Sequence, residues 1–251
     1  MVLLFDIGNT HTHLGLARGR RIVRHSEFRT ELWSSGGADR ALRRFLRTDK
    51  AECALCSVVP SATRRARTWA RGAGLGRPFE LSARTLRGVG LDYPRPESIG
   101  PDRLANAVAV RHRFGGPAVV VDFGTAVTFD VIDARGNYSG GIIAPGLATM
   151  TDYLHEKTAL LPRIKIRDIR AVIGKTTEEA MLIGAVHGYR GLIRELILEL
   201  KKELGCRRLP VVATGGYAKL ISSKVGEITA VEPLLTLQGL LLARELAQLD
   251  A

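Results

Sequence analysis

Two five-residue stretches pair an acid with a glycine and a hydroxyl: Asp6-Ile7-Gly8-Asn9-Thr10 and Asp122-Phe123-Gly124-Thr125-Ala126. Each follows an apolar run, Val2-Leu3-Leu4-Phe5 in the first case and Ala118-Val119-Val120-Val121 in the second. Each therefore sets a carboxylate at the end of an expected buried strand and a turn before the next one. Glycine lets backbone N–H groups approach an anion, the hydroxyl adds a donor, and the carboxylate can hold a hard cation beside that anion. One such turn is an ordinary hairpin feature. Two in matching contexts are harder to explain as scaffold. An ionised carboxylate buried without a partner costs several kcal/mol, and a cation or dense hydrogen bonding has to compensate. The chemistry this pair suits is a clamp for a metal-bound nucleotide.

Three further groups bear on that chemistry. Gly100-Pro101-Asp102-Arg103 reads as a helix start, with Pro at the first position and Asp in the first turn. The same geometry keeps a carboxylate ionised where it can accept an alcohol proton, with Arg103 placed to hold a substrate carboxylate. Thr214-Gly215-Gly216 follows the strand Pro210-Val211-Val212-Ala213 and permits close backbone approach to a ligand. Gly174-Lys175-Thr176 imitates a P-loop, but the glycine required five residues earlier is Ile169. Cys53 and Cys56 form a C-x-x-C inside an apolar strand, where their spacing points them to opposite faces and away from a joint metal or redox role. His11 and His13 follow the first turn along a strand and are expected to face opposite sides, too few ligands for zinc.

The elements needed to position these groups can be read from periodicity. Strands are expected at 2–6, 12–17, 22–28, 53–59 and 78–81, with helices at 39–47 and 61–71. The order then repeats: strands at 118–122, 126–132, 138–143, 209–213 and 228–231, and helices after Gly146, near 217–223 and at 235–248. A helix near 101–113 joins the copies, and an inserted long helix near 177–204 has Leu192, Ile193, Leu196, Ile197 and Leu200 on its apolar face. The reading is a duplicated β-β-β-α-β-α unit, with halves at 1–115 and 116–251.

Composition narrows the class. The 251 residues carry a formal net charge of +12, which favours anionic partners or a solvated arginine-rich surface. Aromatic residues make up 6% of the chain, so no base-stacking platform for single strands is expected. Three cysteines argue against a disulfide framework. The N-terminal apolar run stops at Asp6, so neither a signal peptide nor a membrane span is expected, and the cytoplasm is the expected compartment.

The ordered set Asp6–Thr10 (DIGNT), Gly100–Arg103 (GPDR) and Asp122–Thr128 (DFGTAVT) resembles the three signature motifs of type III pantothenate kinases. Ser57–Pro60, Gly140–Leu147, Gly174–Thr177 and Ala213–Gly216 extend the similarity over nearly the whole chain. The resemblance implies an α/β, actin-like ATPase fold of two ribonuclease-H-like halves around a central cleft. It implies ATP-dependent phosphorylation of pantothenate, the first step toward coenzyme A, by a homodimer using Mg²⁺ and a monovalent cation, K⁺ or NH₄⁺. On that basis Asp102 is the proton acceptor. ATP contacts fall on Asp6, Ile7, Gly8, Asn9, Thr10, His11, Thr12, His13 and Thr125. Pantothenate contacts fall on Tyr93, Gly100, Pro101, Asp102, Arg103 and Thr177. Asp122 holds the monovalent cation and Asp6 holds Mg²⁺ through water. An ordinary Asp pKa would leave Asp102 a weak base, which a loose phosphoryl-transfer transition state tolerates. Two alternatives stay open: a DNA-binding regulator of the same fold, and a kinase for another small alcohol. Nucleic acid is not an expected partner.

Overall fold

The computed structural model describes residues 1–46 and 51–249. The first stretch runs β1 (Val2–Ile7), β2 (His11–Arg18), β3 (Arg21–Arg29), α1 (Leu32–Ser35), α2 (Ala38–Phe45), β4 (Glu52–Ser57), α3 (Pro60–Gly72), β5 (Phe79–Glu80), β6 (Gly90–Leu91) and α4 (Pro101–Phe114). The second runs β7 (Ala118–Phe123), β8 (Ala126–Ile132), β9 (Asn137–Pro145), α5 (Leu147–Lys157), α6 (Thr177–Ile183), α7 (Tyr189–Glu203), β10 (Val211–Gly215), α8 (Ala218–Ser222), β11 (Ala230–Val231) and α9 (Leu235–Leu249). The helix expected over 39–47 is α2; its residue 47 lies outside the described residues. The long helix expected over 177–204 is α6 and α7, joined by a π turn at Gly184–Gly188.

The repeat is visible in the sheets. One has the strand order β3-β2-β1-β4-β5, and the other contains the order β9-β8-β7-β10-β11. In each, the central strand pairs antiparallel with its hairpin partner and parallel with the strand that returns after a helix. The short β6 and α1 carry too few residues to show a period, and neither is marked in the sequence.

Close contacts divide the chain into two units. Unit 1 comprises the described residues of Met1–Gly115, Gly136–Ser139 and Leu234–Ala251, and unit 2 comprises Gly116–Arg135 and Gly140–Pro233. These are not the two sequence halves, because the last helix belongs to unit 1. Its reason is packing: α9 lies against α4, β1, β2 and β4. Thr236 donates to the Asn106 side-chain oxygen at 2.9 Å in that buried helix pair.

Within unit 1, β1 is covered on both faces. Leu3, Phe5 and Ile7 join a core with Trp33, Leu42, Ala62, Ala66 and Ala70, from α1, α2 and α3. Leu4 is also fully buried, on the opposite face, which α9 covers. Period two places Asp6 on the Leu4 face. Unit 2 repeats the pattern: Val119, Val121 and Phe123 pack with Ile193 and Ile197 of α7 and Ile221 of α8. Each fully buried Leu, Ile or Phe removes apolar area worth about 1.5–3 kcal/mol, so these strands are held firmly and the residues at their ends are positioned with them.

The α4–α9 crossing is unusually close at Gly239, where an added Cβ would lie 1.8 Å from the Ala105 carbonyl oxygen. Gly239→Ala is expected to force the helices apart and destabilise the chain by about 2 kcal/mol or more, read from urea unfolding. A loss below about 0.5 kcal/mol would show that this crossing yields.

Candidate active site

Asp6 lies next to His13 of β2 and Cys56 of β4 in the sheet register. The turn after it is closed by the Gly8 N–H donating to the His11 carbonyl at 3.0 Å. Thr30 pins that turn from β3's far end. Its hydroxyl donates to the Gly8 carbonyl at 2.7 Å, and its N–H donates to the Thr10 carbonyl at 2.9 Å. Thr12 sits beneath, fully buried, with the Trp33 indole N–H donating to its hydroxyl at 3.1 Å. Ile7 is likewise a core side chain. The side chains of Ile7 and Thr12 therefore build the turn, while Asn9, Thr10 and His11 are exposed on it.

His11 and His13 do not face opposite sides. Their ring centroids are 6.4 Å apart, because residues two apart on a strand share a face. Burial holds His13 below the usual histidine range; nearby Glu27 opposes the shift, and His11 and His25 add to it. The cysteines do follow their period. Cys53 joins the α2–α3 core, whereas Cys56 sits on the Asp6 side.

Cys56 brings the first two acids into one place. Its buried thiol reaches Asp6 Oδ1 at 3.6 Å, and burial, Asp6 and Asp102 together push its pKa far up. The thiol is thus a neutral neighbour of two carboxylates. Asp102 lies in the first turn of α4, with the Arg103 N–H donating to its Oδ1 at 2.9 Å. The carboxylate folds back over Gly100, where a Cβ would lie 2.4 Å from Oδ1. Burial raises the Asp102 pKa above the ordinary Asp value, against the smaller lowering by the Arg103 N–H and guanidinium. The sequence expectation of an ordinary pKa is therefore corrected: desolvation outweighs the helix terminus and makes Asp102 a stronger base.

Tyr93 and Arg103 both lie against Tyr138 in unit 1. The Arg103 guanidinium lies 5.7 Å from the centroid of the Tyr138 ring, and Tyr93 meets that ring edge-on at 5.9 Å. Tyr138 is fully buried and had no signal in the sequence. It arrives through the two-residue pairing of β6 with the start of β9, where Gly90 and Leu91 face Asn137 and Tyr138.

In unit 2, Asp122 sits beside Thr128 of β8 and Thr214 of β10. The Gly124 N–H closes its turn on the Ala126 carbonyl at 3.1 Å, the counterpart of the Gly8 bond. Gly215 covers the acid at φ +88°, and a Cβ there would lie 2.7 Å from Asp122 Oδ1. Only glycine suits both the backbone and the space. The Thr125 carbonyl accepts from the Gly146 N–H at 3.0 Å and the Thr149 hydroxyl at 2.6 Å, which fixes the second turn. Thr177 begins α6 behind a capping box: the Thr176 hydroxyl accepts the Glu179 N–H at 3.2 Å, and Glu179 accepts the Lys175 N–H at 2.7 Å. Gly174-Lys175-Thr176 is thus a helix cap.

The oxygen-rich surroundings of Asp122 fit a monovalent cation, and Asp6, half-buried on β1 beside an exposed turn, fits a Mg²⁺ that keeps its water and phosphate ligands. Among the described residues, no group of three or more His, Cys, Asp or Glu forms a metal-binding cluster.

The duplicated sheet topology defines the class: an actin-like ATPase fold made of two ribonuclease-H-like repeats. A Campylobacter jejuni protein described as a Baf family transcriptional activator is similar over 99% of this chain and 98% of its own, with TM-score 0.62 and 17% identity. The activator of 2-hydroxyisocaproyl-CoA dehydratase from Clostridium difficile, solved with bound ADPNP, is similar over 100% and 97%, with TM-score 0.52 and 12% identity. At such identities the likeness concerns the fold alone. Sequence goes further. The type III pantothenate kinase family model matches residues 2–199. The type III pantothenate kinase of Methylacidiphilum infernorum (isolate V4) is 42% identical over 246 residues, which cover 98% of this chain and 88% of that protein. The chain belongs to the type III pantothenate kinase family.

The raised pKa of Asp102 has a cost. The native state holds the proton more tightly than the unfolded chain, so stability is lost as pH rises from the ordinary Asp value through the native one. Asp102→Asn keeps the acceptor oxygen and removes the charge. It is expected to melt above the wild type at pH 7, with the gap closing as pH falls toward the ordinary Asp range. A variant melting below the wild type at pH 7 would contradict the burial argument.

Proposed function

We infer that this chain phosphorylates pantothenate with ATP, the step that opens coenzyme A synthesis. The observation that carries the reading is the family match over residues 2–199, joined to 42% identity with a named pantothenate kinase over 98% of the chain. It is a phosphotransferase acting on an alcohol.

The assignment of roles goes further and is our proposal. Asp102 accepts the proton of the pantothenate hydroxyl. Its raised pKa supports this, since the carboxylate binds a proton more readily than an ordinary Asp. Arg103 orients the pantothenate carboxylate, and its placement over Tyr138 beside Tyr93 supports a fixed guanidinium. Gly100, Pro101 and Thr177 complete the substrate contacts. The turn from Asp6 to His13 and Thr125 contact ATP, the exposed groups by side chain and the buried ones by backbone. Asp6 holds Mg²⁺ through water, and Asp122 holds K⁺ or NH₄⁺. These cations neutralise phosphate charge, the chemistry a P-loop lysine supplies elsewhere. Cys56 stays protonated and keeps the space between Asp6 and Asp102 free of a third negative charge. The three free thiols suit a reducing compartment, the cytoplasm. Among the described residues, no helix is long and apolar enough to cross a membrane.

A homodimer is supported by apolar exposure in unit 2. Leu160, Val172 and Ile173 are 90, 75 and 70% exposed, on a segment that Arg190 ties down through Asp168 at 2.9 Å. Side chains of this kind on an anchored segment suit a second copy of the chain. Ile173→Glu is expected to shift the dimer toward monomer in analytical ultracentrifugation. An unchanged sedimentation profile would remove this surface from the interface.

An ADP-release assay tests the whole reading. Release is expected only with pantothenate and with K⁺ or NH₄⁺, and Asp102→Asn is expected to lower turnover by roughly 10²-fold or more. Full activity in Na⁺ alone would contradict the role of Asp122. Near-normal turnover of Asp102→Asn would remove the proposed base. No pantothenate-dependent release would overturn the reading itself.

A further inference from the structure

Unit 1 contains a cavity of about 460 Å³, formed by the β2–β3 turn, the end of α4 and one side of α9. It reaches Arg113, while Asp102 stands at the other end of α4. At 1.5 Å per residue the two are about 16 Å apart along the helix. The cavity is therefore separate from the Asp6–Asp102 cluster.

Its lining has two characters. Ile22, Leu234, Leu241 and Leu242 give it an aliphatic part. Arg20, Arg21 and Arg113 give it a cationic part, with His112 beside them. Glu245, the one carboxylate among the described lining residues, is already held by Arg20 at 2.9 Å. Arg21 and His112 have no acidic partner among the described residues. Arg113 is supported from behind by the Phe114 ring, 5.6 Å from its guanidinium carbon. No Phe, Tyr or Trp lines the space, so a flat base has nothing to stack on. The volume falls in the range of small-molecule sites. Guanidiniums and aliphatic side chains lining one cavity match an anionic head joined to a hydrocarbon body.

We propose that this cavity is a second ligand site, for a small amphipathic anion whose carboxylate or phosphate head meets Arg21 and whose aliphatic part lies on the α9 leucines. The reading does not depend on which alcohol the chain phosphorylates.

Calorimetric titration of the full chain tests it, with octyl phosphate, octanoate, octylamine and inorganic phosphate as probes. Octyl phosphate or octanoate is expected to bind saturably, one per chain, with octylamine and inorganic phosphate at least about 10-fold weaker. Arg21→Glu with His112→Glu changes two exposed side chains. It is expected to weaken binding at least about 10-fold and to leave turnover with pantothenate unchanged. Arg21→Ala, a milder change, is expected to weaken it in the same direction. Absence of saturable binding by both anionic probes overturns the proposal, as does unchanged affinity in a folded Arg21→Glu/His112→Glu variant. Co-sedimentation with phosphatidylglycerol vesicles that the same substitutions abolish would overturn it in favour of a membrane surface.

Discussion

Two carboxylates share a partly desolvated place in unit 1, beside a thiol that stays neutral. Asp6 reaches it from the end of β1, Asp102 from the start of α4, and Cys56 from β4. Water is the usual remedy for such charge, and apolar packing limits water here. The raised pKa values of Asp102 and Cys56 report the resulting strain. The fold holds the arrangement because the strand and helix carrying the acids are each fixed by burial far larger than the electrostatic penalty. Leu3, Leu4, Phe5 and Ile7 anchor β1, and the close α4–α9 crossing anchors α4. A site under this tension is suited to a ligand that brings cations with it, as a metal–nucleotide complex does.

The same backbone scheme appears once in each unit. In both, an acid ends the central strand and a glycine N–H closes the next turn on a carbonyl two or three residues on. The neighbours differ. Around Asp6 they are His13 and Cys56, and around Asp122 they are Thr128 and Thr214, with Gly215 pressed against the carboxylate. Hydroxyls and backbone suit a hard monovalent ion, while the exposed turn after Asp6 suits phosphates. The two copies thus share their backbone geometry and differ at the neighbouring register positions.

Much of this was legible in the residues. Long strands with flanking turns, such as those ending at Asp6 and Asp122, announce themselves through apolar runs. Pro101 and Asp102 mark the start of α4, and the failed P-loop spacing removed Gly174-Lys175 from consideration. What stayed hidden depends on distant pairing. Tyr138 reaches Arg103 only because two residues of β6 meet β9. Thr30 reaches the first turn across a hairpin, and α9 joins unit 1 because Gly239 admits Ala105. Local periodicity carries none of these contacts. The His11–His13 expectation failed for a simpler reason: residues two apart on a strand share a face. The ordinary pKa expected for Asp102 took no account of the burial around it, which local sequence does not reveal.

The most direct measurement is the pH dependence of kcat/KM for pantothenate, which reports the base of the free enzyme. The account predicts an acid limb whose midpoint lies above the ordinary Asp value and which disappears in Asp102→Asn. A limb at or below that value, or one that persists unchanged in the variant, would contradict it.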